Sequence, residues 1–158
     1  MPNSPNSNQQ SAVKSQTFVI QSTTENLKPI RSKIKPLLKK AGFSDKTLES
    51  ILVALGEACT NAIRHSYGCE EGHEIRVTFE DHKAKIVLRI RDYGKKIDLS
   101  KVKTPTLPPV QSGGLGIYFM KTIMDELEYN TAHLRGNELV MAKSKERDPK
   151  VENTNQKK

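Results

Sequence analysis

The chain has 158 residues, is 35% hydrophobic and carries a formal net charge of +8. That length fits one domain with tails, and no run approaches the roughly 20 apolar residues of a membrane span. Cys59 and Cys69 form no CxxC pair and lie at no zinc-type spacing, which argues against a cysteine metal centre. Because the N-terminus is polar and lacks the apolar run of a signal peptide, we expect a cytoplasmic protein.

The shortage of apolar residues lies at the two ends of the chain. Residues 1–15 are rich in Asn, Ser and Gln, and residues 144–158 are rich in Lys, Glu and Asn. Segments that bury so little cannot offset the entropy lost on ordering. We therefore predict a disordered tail at 1–15, a basic disordered tail at 144–158 and one folded domain at 16–143.

The first half of the domain is predicted to form one strand and two helices. The strand covers residues 16–21. The first helix then carries interleaved Lys and Arg, and Pro36 within it predicts a kink or a break. The second helix begins at Ser44 or Asp45 as its N-cap and keeps a helical apolar period as far as His65.

The second half is predicted to contain a hairpin, a long irregular loop, a third helix and two last strands. The loop is rich in Gly and Pro, and loops of this length are usually functional or mobile. The order of elements predicts an α+β fold, a two-layer sandwich of a mostly antiparallel sheet with three helices on one face. The predicted segments are, in order, residues 74–80, 85–91, 93–114, 114–127, 128–134 and 138–143.

A first candidate site lies on the second helix. Glu57 and Asn61 are four positions apart and therefore share one helix face, and Arg64 and His65 continue it. The oxygens of Glu57 and Asn61 are suited to magnesium, and Glu57 is also able to orient or deprotonate a nucleophile. The alternative is a solvent-facing polar pair on an amphipathic helix.

A second candidate site lies where the second strand of the hairpin ends. Asp92 follows an apolar strand and is followed at once by a glycine turn at Gly94. The carboxylate of Asp92 would accept a hydrogen bond from an exocyclic amino group such as that of adenine. Gly94 would let the backbone approach a ligand closely. The alternative is an ordinary turn at the end of a strand.

A third candidate site is the glycine-rich stretch that leads into the third helix. It combines free backbone amides with the positive end of a helix dipole, and this combination suits phosphate. It is not a P-loop, because no Lys-Ser or Lys-Thr follows the glycines, and no strand precedes it directly as in a Rossmann fingerprint. The stretch comprises Ser112, Gly113, Gly114, Leu115 and Gly116.

In this order the three motifs resemble those of the GHKL ATPase superfamily, and within it the anti-sigma-factor serine/threonine kinases of the RsbW and SpoIIAB type. Residues 55–68 look like the N box and residues 91–94 resemble the G1 box. Residues 113–120, together with 124–129, are similar to the G2 box and the helix behind it. The likeness spans residues 16–143 and implies a Bergerat-type ATP-binding fold.

The resemblance also implies roles for individual residues. Asn61 would coordinate the magnesium that bridges the phosphates of ATP, Glu57 would be the catalytic base, and Asp92 would read the adenine amino group. Residues 99–112 would form a lid over ATP. The expected ATP-binding residues are Asn61, Arg64, His65, Asp92, Gly94, Ser112, Gly113, Gly114, Leu115 and Gly116, with Asn61 as the expected metal ligand.

The chain departs from the superfamily pattern at two places. Lys96 stands where the G1 box often has its second glycine, which favours the anti-sigma branch over histidine kinases. Superfamily members often carry a Thr near the start of the last strand, close to the adenine. Here that region reads Gly136-Asn137-Glu138-Leu139, so the contact with adenine is left open.

The resemblance implies a protein-serine kinase that binds a sigma factor and phosphorylates a STAS-type anti-sigma antagonist. Members of the branch commonly dimerise, and direct contact with nucleic acid or membrane is not expected. One alternative is a non-catalytic, ATP-gated protein-binding module on the same fold. Two others are the detached ATP-binding domain of a histidine kinase and a nucleic-acid binder that relies on the +8 charge.

Overall fold

The computed structural model describes residues 12–101 and 115–146. Short 3-10 turns occupy Thr24–Asn26 and Leu99–Lys101, and a π-helical turn, Ala62–Ser66, continues the second helix. The strands and α-helices of the described part are β1 (Lys14–Gln21), α1 (Leu27–Lys40), α2 (Asp45–Asn61), β2 (Glu74–Asp81), β3 (Lys85–Asp92), α3 (Leu115–Ile123), β4 (Glu126–Asn130) and β5 (Asn137–Ser144).

The five strands form one sheet in the order β1-β2-β3-β5-β4, and every neighbouring pair is antiparallel. Because side chains alternate along a strand, each strand gives one face of the sheet its apolar residues. Val77 pairs with Ile90, and Ile90 pairs with Leu139, on the side that the helices cover. The predicted α+β sandwich with helices on one face is confirmed, and the predicted hairpin is the pair β2 and β3.

Helix α1 contributes a narrow apolar stripe to the core. Ile30, Ile34 and Leu38 are fully buried, and each contributes about 1.5–3 kcal/mol through burial. The helix passes through Pro36 without the predicted break. Pro36 is exposed, so the carbonyl of Ser32, which loses its helical partner there, is on the side open to water.

Helix α2 is capped by Ser44, not by Asp45. The hydroxyl oxygen of Ser44 accepts a hydrogen bond from the backbone N–H of Thr47 at 3.3 Å. The carboxylate of Glu146 accepts hydrogen bonds from both Ser44 and Thr47. The predicted boundary of the folded domain is 143, and the described chain continues to Glu146, whose carboxylate contacts the start of α2.

The N-terminal boundary also differs from the prediction. Strand β1 begins at Lys14, which pairs with Asp81 of β2, two residues before the predicted start. Backbone pairing depends little on side-chain polarity, so Lys14 and Ser15 extend the edge strand although neither side chain is apolar. Residues 1–11 and 147–158 of the two predicted tails lie outside the described residues.

The prediction of a third helix as far as Leu127 is wrong. Helix α3 ends at Ile123, and Leu127 lies in β4, where it pairs with Met141. Asp125 marks the change, because its carboxylate accepts the backbone N–H of Ser144 at 2.7 Å. Residues 124–129 are therefore a helix-to-strand junction and not the helix behind a G2 box.

The last predicted strand pair is correspondingly displaced. Strand β4 occupies Glu126–Asn130, whereas residues 128–134 were expected. Apolar residues in this region fit both a helical and an alternating pattern, which explains the misplaced boundary. No helix in the described part of the chain is long and apolar enough to cross a membrane.

Candidate functional site

A cleft opens between the end of α2, the first turn of α3 and the ends of β3 and β5. Four of the residues expected in a ligand site meet here, although they are far apart in the sequence. One wall is apolar and the other is polar. The lining residues are Ala58, Asn61, Ala62, His65, Ser66, Ile90, Asp92, Ile97, Gly116, Ile117, Tyr129, Asn137 and Leu139.

The π-helical turn Ala62–Ser66 shapes the polar wall of the cleft. The N–H of Tyr67 donates to the carbonyl of Ala62 at 3.1 Å, a bond that spans five residues and not four. Single π turns within helices are frequently found at functional sites. The hydroxyl of Ser66 donates to Asp92 Oδ2 at 2.8 Å. The sequence pattern predicted an ordinary helix here and did not indicate the widened turn.

Asp92 is 4% exposed, and its carboxylate forms the floor of the cleft. It follows Ile90 by two positions in β3, and it therefore faces the helix side of the sheet. Besides Ser66, the N–H of Gly94 donates to Asp92 Oδ1 at 3.1 Å. A carboxylate buried this deeply requires such donors, since its loss of water would otherwise be costly.

Asn137 is a site residue that the sequence analysis did not include. It is 6% exposed and lies directly across from Asp92 in the register of β3 and β5. Its amide nitrogen lies 3.1 Å from Asp92 Oδ1, 3.1 Å from Ser66 Oγ and 2.9 Å from the carbonyl of Lys95. The unusual residues after Gly136 were noted in the sequence, but their pairing with Asp92 depends on a strand register that the sequence does not give.

The structure gives a steric reason within the protein for a glycine at position 94. A Cβ atom at this position would overlap the carbonyl oxygen of Ser66 and would lie 2.8 Å from Cδ1 of Tyr67. The N–H of Lys95 donates to the same Ser66 carbonyl at 2.7 Å. The glycine thus allows the turn after β3 to pack against the π-helical turn, and Gly94 is not among the lining residues of the cleft.

Glu57 and Asn61 converge on the start of α3. A Cβ atom added to Gly116 would lie 2.6 Å from Glu57 Oε2 and 3.8 Å from Asn61 Oδ1. Both side chains are partly exposed. Among the described residues, the Glu57 carboxylate has no hydrogen-bond partner. The predicted pairing of these two residues on one helix face is therefore present. Asn61 lines the cleft, and Glu57 reaches it only beside Gly116.

The oxygens of this pair are of the type that magnesium prefers. In the described part of the chain, no cluster of three or more His, Cys, Asp or Glu side chains is suited to hold a metal. A cation held by Asn61 would also be able to take oxygens of a bound ligand into its coordination. That is how magnesium is usually held in nucleotide sites.

Of the remaining predicted site residues, some line the cleft, some do not, and some lie outside the described residues. His65 lines the cleft, whereas Arg64 and Leu115 are exposed and are not among the lining residues. Ser112, Gly113 and Gly114 lie outside the described residues, as does most of the predicted lid.

The apolar wall of the cleft was not predicted. Ile90 and Leu139 come from neighbouring strands, and Ile117 and Tyr129 come from α3 and β4. Burial raises the pKa of the Tyr129 hydroxyl, and the nearby charge of Asp92 adds to this effect. Tyr129 therefore keeps its proton at neutral pH. A flat apolar slot with a carboxylate at its end is suited to a heteroaromatic ring that carries an amino group.

Comparison with protein families concerns the domain as a whole. A family model described as a histidine kinase-like ATPase domain matches residues 20–143. The matched range includes every described strand and helix that contributes to the cleft. The chain therefore belongs to the histidine kinase-like ATPase domain family.

Individual relatives show to which branch of the family the chain is similar. The chain is 32% identical over 111 residues to the serine-protein kinase RsbW of Oceanobacillus iheyensis, a match that covers 65% of this chain and 70% of the relative. It is 33% identical over 106 residues to RsbW of Bacillus licheniformis, covering 62% and 66%. With RsbW of Bacillus subtilis the identity is 29% over 106 residues, again covering 62% and 66%. Within the family, the chain belongs to the RsbW-like branch.

Proposed function

We propose that this protein is an ATP-dependent protein-serine kinase. The observation that carries the proposal is that one cleft is lined by a buried acceptor, Asp92, and by Asn61 and Gly116. The carboxylate of Glu57 lies next to Gly116. Membership of an ATPase domain family supports the nucleotide. The relatives named serine-protein kinase support the reaction.

The base of ATP would occupy the end of the cleft at Asp92. The carboxylate receives hydrogen bonds from Ser66, Gly94 and Asn137 and retains acceptor capacity, since two carboxylate oxygens offer about four lone-pair sites. That capacity suits the exocyclic amino group of adenine. Ile90 and Leu139 provide apolar surface for the ring.

The phosphates would lie at the first turn of α3. Gly116 lies in this turn, and Gly113 and Gly114 precede the helix in the sequence. The N-terminal amides and the dipole of a helix favour negative charge. Asn61 would hold Mg2+ together with phosphate oxygens. The bound ion would supply charge neutralisation for the phosphates, and the Asn61 amide would fix the position of the nucleotide relative to Glu57.

Glu57 would act as the catalytic base. Its carboxylate lies beside Gly116, at the end of the cleft assigned to the phosphates. Because it has no hydrogen-bond partner among the described residues, it is free to accept the proton of an incoming serine hydroxyl. The serine oxygen would then form a bond to the γ-phosphorus as the bond to the leaving ADP oxygen breaks.

A protein substrate is supported by the surface around Glu57. Val53 lies one turn before Glu57 on α2 and is 40% exposed. Leu115 and Phe119, one turn apart on α3, are 49% and 40% exposed. These apolar side chains flank the convergence of Glu57 and Gly116, where a protein carrying the serine would have to dock.

The RsbW-like branch supports a finer proposal about partners. The chain would bind a sigma factor as an anti-sigma factor and would phosphorylate a STAS-type antagonist of that action. A homodimer is the expected assembly of such a protein. These partners would act in the cytoplasm, where the chain is expected from its sequence.

The test of the proposal is phosphotransfer from radiolabelled ATP to candidate antagonist proteins, with ATP binding measured in parallel by calorimetry. Glu57→Gln keeps the shape of the side chain and removes its basicity. We expect ATP affinity within about twofold of the wild type and transfer lowered by about 100-fold or more. Glu49→Gln, which changes an exposed glutamate of the same helix, is the control and should leave both unchanged.

Two outcomes would contradict the proposal. Transfer at the normal rate by Glu57→Gln would remove the catalytic assignment. Binding of ATP by the wild type without transfer to any antagonist or to sigma-factor complexes would instead indicate the non-catalytic, ATP-gated binding module.

A further inference from the structure

We propose that Asn137 is the positioning residue that fixes Asp92 as a hydrogen-bond acceptor and thereby selects 6-amino over 6-oxo purine nucleotides. The inference rests on the proposed nucleotide function and adds a determinant of base selectivity to it. Asn137 would act through Asp92, and its own amide groups would be used within the protein.

The first argument is geometric. Asp92 and Asn137 are cross-strand partners on β3 and β5, and both face the helix side of the sheet. Their side chains are 4% and 6% exposed, and the amide nitrogen of Asn137 lies 3.1 Å and 3.4 Å from the two carboxylate oxygens. The amide of Asn137 therefore lies within hydrogen-bond distance of both carboxylate oxygens of Asp92.

The second argument comes from counting donors and acceptors. The amide nitrogen of Asn137 has two hydrogens, and oxygens of Asp92, Ser66 and Lys95 lie within hydrogen-bond distance of it. The amide oxygen accepts the N–H of Ile97 at 2.7 Å. No hydrogen of Asn137 is left to donate to a ligand, so the polar floor offers acceptor capacity from Asp92.

This arrangement discriminates between purines at position 6. ATP places an amino donor there, whereas inosine triphosphate places a carbonyl oxygen and is otherwise nearly identical. A carbonyl facing a fixed carboxylate leaves a buried acceptor unpaired and repels it. We expect the wild type to bind ATP about tenfold or more tightly than inosine triphosphate.

The experiment measures the affinities of the full chain for both nucleotides by calorimetry, together with the melting temperature. Asn137→Asp places a second carboxylate about 3 Å from Asp92, and such a pair holds a shared proton, which supplies a donor. We expect the preference for ATP to fall by about tenfold or more. Asn130→Asp is the matched control, since Asn130 donates to the carboxylate of Glu138 at 3.1 Å and does not line the cleft.

Asn137→Ser provides a second variant in case Asn137→Asp does not fold. The shorter hydroxyl loses the double contact with the carboxylate, and the preference for ATP should fall by about threefold or more. A role in stability alone would lower the melting temperature and leave the ratio of the two affinities unchanged.

The outcomes separate this inference from the proposed function. If the folded Asn137 variants keep the wild-type ratio of the two affinities within about twofold, as Asn130→Asp should, the role of Asn137 is overturned. The proposal of ATP binding would not be affected by that result. Failure of the wild type to bind either nucleotide overturns the proposed function, and the inference with it.

Discussion

At the scale of single residues, the proposed ATP site depends on side chains that are given separate roles in binding and in transfer. Glu57 and Asn61 could be predicted from their spacing, because residues four apart on a helix share a face whatever the fold. Asp92 could be predicted from its place at the end of an apolar strand. The role of Asn137 could not be predicted, because it depends on contact with Asp92, which is 45 residues away in the sequence.

Asn61 carries the prediction about metal. If its amide oxygen holds Mg2+, Asn61→Ala should abolish the magnesium-dependent part of ATP affinity and lower binding by about tenfold or more. Removal of magnesium by a chelator should weaken wild-type binding to a similar extent and have little further effect on the variant. Calorimetry with and without magnesium measures both, and an equal response of variant and wild type to the chelator would exclude Asn61 as the ligand.

Substitution of Gly94 and of Gly56 by alanine should have opposite effects on the free energy of unfolding. Gly94→Ala places a Cβ atom against the backbone of Ser66 and should destabilise the fold by about 2 kcal/mol or more. Gly56→Ala lies in the interior of α2, where the nearest atom would be 3.7 Å away on Arg31, and should stabilise it by about 0.5–1 kcal/mol. Urea unfolding measures both changes. Equal effects of the two substitutions would show that the close approach at Gly94 is unimportant.

At the scale of elements, the sequence predicted the helices and strands that have a regular apolar pattern. It did not predict features that lack such a pattern. The apolar stripes of α1 and α2 and the alternation of β2 and β3 were readable because they repeat over several turns or pairs. The π-helical turn has no such repeat. The end of α3 was misplaced because the spacing of apolar residues up to Leu127 fits both a helix and the alternation of β4.

The contacts at the start of α2 should make the stability of the fold depend on pH. The hydroxyl of Thr47 donates to Glu146 and is the main cause that holds the pKa of this carboxyl below its ordinary value of 4.5, with further hydrogen bonds from Ser44. Since the folded-state pKa is lowered, the stabilisation is present above the unfolded value and is lost as the pH falls through the folded value.

Glu146→Gln should therefore lower the melting temperature at pH 7, and the difference from the wild type should shrink as the pH falls below the ordinary glutamate pKa of 4.5. Glu71→Gln, at an exposed loop position, is the control and should show no such convergence. A constant difference at all pH values would mean that the contact contributes through shape and not through charge.

At the scale of the whole molecule, the sheet separates two environments. The face beneath the helices holds the core and the cleft, and the opposite face carries charged residues that neutralise one another. Arg89 binds Glu80 at 2.6 Å and also lies 3.5 Å from Glu138. For Glu80, burial alone would raise the pKa, but the hydrogen bonds from His82 and Arg89 outweigh it and lower the pKa.

The overall architecture could be predicted because the order of elements restricts an α+β chain to few arrangements. The position of the cleft could be predicted only in outline. Asp92 belongs to β3 and Glu57 to α2, and their relative placement is set by packing between non-local elements. Substitution of Asp92 should therefore weaken ATP binding, whereas substitution of Glu57 should lower phosphotransfer.

The most direct test of the central claim is calorimetric titration of the wild type and of Asp92→Asn with ATP in the presence of magnesium. We predict magnesium-dependent binding in about the micromolar range that is weakened by about tenfold or more in the variant, because an amide in place of the carboxylate brings donors to face donors. Equal affinity of the two proteins, or no binding by the wild type, would contradict the account of this cleft as an ATP site.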